Sequence, residues 1–292
     1  MASLREYRKK IKTVKSTQQI TKAMKMVAAA RLRRAQGRIL SARPFAVKMR
    51  ELISELSGKI ALDESSQASV HPLFRSGNSN RVGLLLVTAD KGLCGSFNTN
   101  LIKKAGEIIR QNADKEMRFF VVGRKGRDFF KRLGFPVAAE YVNIFNQLSY
   151  THAELVGKDL MDTFVREELS EVIVVYNEFK SVLQQRLVAE RILPLSQPDT
   201  APVSRASLDF LYEPEKSRLL EELLPRYVKS QLFRILLESA ASELGARMTA
   251  MDSATKNARE LIDILTLKLN RTRQAMITRE IAELVGGAEA LK

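Results

Sequence analysis

Apolar residues near the start of the chain recur in steps of three and four. Leu4, Tyr7, Ile11 and Val14 open a series that resumes at Ala28, Leu32, Ala35, Ile39, Ala42, Ala46, Met49, Ile53 and Leu56. Such spacing keeps one stripe facing one way and predicts a long helix buried along a seam. Gln18, Thr21 and Lys25 interrupt the stripe, while Ile20, Met24 and Val27 supply an offset one. A continuous buried partner is therefore not expected over 18–27, and a second surface is expected there. Gly37 and Pro44 weaken the helix, and Pro44 should bend it by removing one backbone hydrogen bond.

The other end has the same character. Arg226 to Val285 holds no proline and one glycine, Gly245, enough for about 90 Å of helix. Its middle is rich in small residues (Ser239, Ala240, Ala241, Ala246, Ala250, Ala254, Ala258), which let two helix axes approach closely. Leu261, Leu265, Leu269, Met276, Ile277 and Ile281 then restore bulk. Two such segments predict an antiparallel coiled coil of the termini. The alternative is that each packs on its own side of a globular bundle.

Between them the period changes. Val82–Thr88, Phe119–Val122, Val137–Val142, Val172–Tyr176 and Leu183–Leu195 read as strands, and residues 98–112, the stretch ending near Gly134, and 149–169 as helices. Strands alternating with helices predict a mostly parallel, Rossmann-like sheet with helices on both faces. The fold class is thus mixed α and β: a long terminal coiled coil plus an α/β domain. The expected divisions are 1–77, 78–207 and 208–292, with 196–207 a polar linker.

Composition sharpens the picture in two places. The 292 residues carry a net charge of +15, and residues 1–50 hold fifteen Lys and Arg against Glu6 alone, so +14 of it lies there. A block of that kind expects an anionic neighbour: nucleic acid, a membrane surface or an acidic protein. Cys94 is the only cysteine, which excludes an internal disulfide. No apolar run approaches the ~20 residues of a membrane span, and no secretory signal pattern opens the chain.

Candidate chemistry is sparse. The loop Thr88–Asn98 (TADKGLCGSFN) joins a strand to a helix and could cradle a phosphate. It lacks both the GxGxxG and the GxxxxGK[ST] spacing, so a tight turn built on Gly92 and Gly95 is the preferred reading. His71 and His152 are not in ligand spacing, and Cys94 has no evident histidine partner. No catalytic constellation, metal site or cofactor is expected. The basic helix carries few aromatics, which weighs against nucleic acid.

Three stretches give a resemblance: Ile11–Ala30 (IKTVKSTQQITKAMKMVAAA), the loop Thr88–Asn98, and Leu267–Gly287 (LKLNRTRQAMITREIAELVGG), with DFLYEP at 209–214. Together, in this order and across nearly the whole chain, they resemble the γ subunits of F-type ATP synthases, in a bacterial form without a presequence or a regulatory cysteine insertion. The resemblance implies a central-stalk rotor that has no active site. Its partners would be the α3β3 hexamer, the ε subunit and the c-ring, with no nucleic acid. Membrane association would be peripheral, through the c-ring, at the cytoplasmic face of the bacterial inner membrane. It also implies contacts to the catalytic β subunits at Met24, Lys25, Lys91, Arg273, Gln274 and Thr278, and to c-ring loops at Phe210, Tyr212 and Glu213.

Overall fold

The computed structural model describes residues 3–62, 71–195 and 216–290. Its elements run α1 (Leu4–Leu62), β1 (Arg81–Val87), α2 (Phe97–Gln111), β2 (Glu116–Val122), α3 (Arg124–Arg132), β3 (Val137–Tyr141), α4 (Tyr150–Arg166), β4 (Glu171–Phe179), β5 (Gln185–Leu193) and α5 (Lys216–Ala290). Two compact units result: Met1–Ala29 with Arg247–Lys292, and Ala30–Ala246. Both long helices contribute to both units.

The larger unit is built on a five-stranded sheet in the order β3-β2-β1-β4-β5. β1 pairs in parallel with β2 and β4, β2 in parallel with β3, and β4 antiparallel with β5. The central strands are apolar without alternation because both faces are covered. Leu85, Val87, Phe120, Val122, Val172, Val174 and Tyr176 pack with α4 and with the α1 and α5 segments of this unit. Leu84, Leu86, Phe119, Val121 and Val175 pack against α2 and α3 on the opposite face. The α1 stripe does its burying here through Leu32, Ile39, Met49 and Ile53.

Each long helix holds an internal proline, Pro44 in α1 and Pro225 in α5. A proline deletes one N–H donor, yet both helices continue through it. α5 therefore begins before the proline-free stretch from which the sequence predicts it.

In the smaller unit α1 and α5 lie antiparallel: Thr21 meets Thr255 and Lys25 meets Asp252, so numbers rise on one helix as they fall on the other. The partly or fully buried positions of the seam on α1 are Leu4, Tyr7, Ile11, Val14, Gln18, Thr21, Lys25 and Ala28, with Met24 and Ala29 half-buried beside them. On α5 they include Met251, Thr255, Ala258, Ile262, Leu265, Leu269 and Thr272. Both series are unbroken heptads. This corrects the expectation of an interrupted seam over 18–27. The stripe does not break; it turns polar, and the helix opposite answers with polar groups.

Candidate functional site: a polar seam and an uncovered helix end

Thr21, in the seam, is 8% exposed. Its Oγ1 lies 2.8 Å from Thr255 Oγ1, 3.0 Å from the Gln18 carbonyl, and Thr255 Oγ1 lies 2.7 Å from the Met251 carbonyl. Each hydroxyl has one proton, so when one donates across the seam the other keeps its bond to its own helix. One layer further, Lys25 Nζ donates to Asp252 Oδ1 at 2.5 Å, and Lys256 reaches the second carboxylate oxygen at 3.0 Å. The hydrogen bond from Lys25, then that from Lys256, holds the Asp252 carboxyl below its ordinary range.

Around this seam lies apolar surface that no described residue of the unit covers. Ile20 and Val27 are more than half exposed, and Met24 between them is half-buried. These three are the offset stripe read from the sequence, and they point out of the seam. Leu261, Ile264 and Leu267 are exposed on α5.

The seam ends where α1 begins. The paired residue numbers sum to 276 and 277, which places Leu4 level with residues 272–273 of α5. Thr272 is the last half-buried residue, and every side chain from Arg273 to Gly287 is exposed. On that single helix Ile277, Ile281, Leu284 and Val285 fall within one ~100° stripe, with Leu284 74% exposed. Arg273, Gln274 and Thr278 stand on the same segment and make no hydrogen bond or ion pair with the described residues. Arg279 and Glu283 pair along the helix at 2.8 Å.

The glycine-bearing loop is spent on the fold. Thr88 Oγ1 donates to the Val122 carbonyl at 3.0 Å and accepts from Gly126 N–H at 2.9 Å. Asp90 Oδ1 accepts from the N–H groups of Arg124 and Asn143, which ties the ends of β1, β2 and β3 together. Asn98 accepts from Ala89 N–H and donates to Cys94 Sγ at 3.2 Å. Gly123 has φ +91°, and a Cβ there would stand 2.1 Å from the Thr88 carbonyl oxygen. Of the two glycines of the tight-turn reading, Gly95 has φ +58°, whereas Gly92 has no positive φ and a Cβ there would meet nothing within 4 Å. Lys91 is exposed on this loop, in the larger unit, beside Leu93, which is exposed at φ +65°.

A depression of about 610 Å³ is lined by Ser79, Arg81, Asp114, Glu116, Arg166 and Glu167 among others. It sits at the N-terminal ends of β1 and β2, whereas ligands of open α/β sheets bind beyond the C-terminal ends. Two of its carboxylates are held in ion pairs, Glu116 by Arg81 at 2.9 Å and Glu167 by Arg118 at 2.6 Å. Among the described residues no His, Cys, Asp and Glu group could hold a metal ion, and no helix is long and apolar enough to cross a membrane.

The predicted site residues thus separate. Met24, Lys25, Arg273, Gln274 and Thr278 belong to the smaller unit and Lys91 to the larger, while Phe210, Tyr212 and Glu213 lie outside the described residues. The reading of separate residues missed the partners of Lys25 and Thr21. Counting the heptad onward through the polar positions, and looking for polar residues at the same phase of the other helix, would have found Thr255; Asp252 lies one residue off that series, beside Met251.

A family model described as ATP synthase matches residues 3–291. The ATP synthase gamma chain of Chloroherpeton thalassium is 47% identical over 308 residues, covering 100% of this chain and 99% of that one. That of Desulforamulus reducens is 45% identical over 292 residues, the full length of both. Among solved structures, the central stalk of the Tetrahymena thermophila mitochondrial ATP synthase is similar at a TM-score of 0.60 and 26% identity, covering 80% of this chain and 99% of that one. A chain of the Euglena gracilis mitochondrial ATP synthase shares the fold at a TM-score of 0.70, with 21% identity and coverage of 99% and 94%.

Proposed function

This chain belongs to the ATP synthase γ-chain family, and from that premise we propose that it works as a rotor with no catalytic site of its own. It is the γ subunit of F1Fo ATP synthase, the central stalk that couples proton-driven rotation of the c-ring to ATP synthesis, or hydrolysis, at the β subunits. Its partners are the α3β3 hexamer and the c-ring, and it associates with the membrane peripherally. The finer reading adds the ε subunit as a partner and the cytoplasmic face of the bacterial inner membrane as the location.

The observation that carries the rotor reading is the exposed end of α5. From Arg273 to Gly287 no described residue of this chain covers it, and its apolar stripe would be unfavourable in water alone. A sleeve formed by the hexamer would bury that stripe, with Arg273, Gln274 and Thr278 supplying directional contacts to a β loop. Lower on the stalk, the band of Ile20, Met24 and Val27 is the surface offered to a moving β element. Lys25 acts there chiefly through the seam, since Asp252 holds its ammonium. Lys91 would contact the same element from the loop after β1, and Phe210, Tyr212 and Glu213 would form the foot on the c-ring. The +14 charge of residues 1–50 suits an acidic protein collar.

The test is a pull-down of the tagged full-length chain from its native membranes, with co-purifying proteins identified by mass spectrometry. Recovery of α, β and ε together with Mg-ATPase activity is the expected result. Recovery of nucleic acid, or of no partner, would overturn the reading.

A further inference from the structure

α5 presents three polar side chains at one helical spacing, Arg234, Glu238 and Ser242, amid buried Leu232, Ile235, Leu236 and Ala241. All three reach the β4–β5 hairpin. Arg234 donates to Tyr176 Oη at 3.4 Å and to Glu190 Oε1 at 3.2 Å, while Tyr176 Oη donates to the same carboxylate oxygen at 3.0 Å. Glu238 Oε2 accepts from Phe179 N–H at 3.1 Å, and Ser242 Oγ donates to the Asn177 carbonyl at 3.0 Å. Glu238 and Ser242 are 5% and 0% exposed. Gln231 Oε1 accepts from Arg234 Nε at 3.0 Å and fixes the guanidinium, although Gln231 Nε2 is left buried without a partner.

The hairpin needs these groups. β1 pairs with β4 only as far as Val175, while β4 continues to Phe179. Beyond Val175 one side of β4 has no strand beside it among the described residues. Asn177 and Phe179 share one parity, so their N–H and C=O groups point to the same side. Buried backbone groups require partners, and α5 supplies them in place of a strand.

We propose that Arg234, Glu238 and Ser242 form a mechanical key through which twist passes between the sheet and α5, making them positioning residues for coupling. This rests on the rotor reading. Apolar packing is non-directional, and a helix held by it alone can roll or slip. Hydrogen bonds to fixed backbone atoms are directional and define the azimuth of the helix.

The experiment uses the full-length chain in an α3β3γ complex held on a surface, with a bead on an Arg132→Cys handle in the sheet unit. Angular fluctuation of the bead during catalytic pauses reads torsional stiffness. Glu238→Leu with Ser242→Ala should keep ATPase activity yet widen the fluctuation. Glu238→Gln, which retains an oxygen for Phe179 N–H, should restore the wild-type width. Equal widths in the double variant and the wild type would overturn the key. Ser242→Ala alone carries the same test if the double variant does not assemble. A wild-type bead that never turns would overturn the rotor reading itself, and this inference with it.

Discussion

At Lys25 a charge that looked like a departure from an apolar seam proves to be half of a pair. Because Asp252 is held below its ordinary carboxyl range, the pair contributes stability above that range and loses it as pH falls through the depressed value. Lys25→Met should therefore be less stable than the wild type at neutral pH, and the gap should close in acid. Thermal unfolding of both proteins across that pH range checks it; a gap independent of pH would not fit. Met24 has the opposite character, half-buried on an outward apolar band. Met24→Lys should leave the fold and the ATPase rate intact while lowering ATP-driven proton pumping in membrane vesicles. Undiminished pumping would count against a contact at this position. The reading of separate residues could locate Met24, whose neighbours Ile20 and Val27 share its face. It could not see Asp252, more than two hundred residues away, because pairing depends on the register of two helices.

At the scale of elements, two helical glycines should behave differently. Gly245 in α5 has room: a Cβ would stand 3.4 Å from the Phe179 ring, in ordinary contact. Gly245→Ala should raise stability by about 0.5–1 kcal/mol through lower unfolded-state entropy and better helix propensity. Gly157 in α4 lies where a Cβ would come within 3.0 Å of Lys229 Cγ and 3.2 Å of Leu232 Cδ1. Gly157→Ala should lose about 1 kcal/mol to overpacking. Chemical denaturation of both variants decides the signs. The central strands of the sheet were legible because two buried faces leave near-continuous apolar runs, as in Val82–Val87. β4 was read short, ending at Tyr176, because Asn177 and Glu178 look polar although Asn177 is buried. Its extension depends on α5 and on β5, neither of which a local window contains.

For the molecule as a whole, the long helices and the sheet were visible from period alone, and their likeness to a rotor from three motifs. The division of the chain was less visible. Residues 30–62 and 216–246 of the helices share a core with the sheet, since the same 3.6-residue stripe serves a helical partner or a sheet face equally well. Ending the chain after Thr272 should leave the fold intact, because the described side chains removed are exposed. Its unfolding midpoint should match the wild type, while the torque of the assembled complex should fall. A large drop in that midpoint would mean the helix end is held by this chain after all. The most direct test of the central claim is single-molecule rotation: the hexamer fixed to a surface, a bead on the Arg132→Cys handle, and ATP added. The account requires unidirectional turning in steps tied to ATP hydrolysis. Hydrolysis at full rate with a bead that stays still, or wanders without direction, would contradict it.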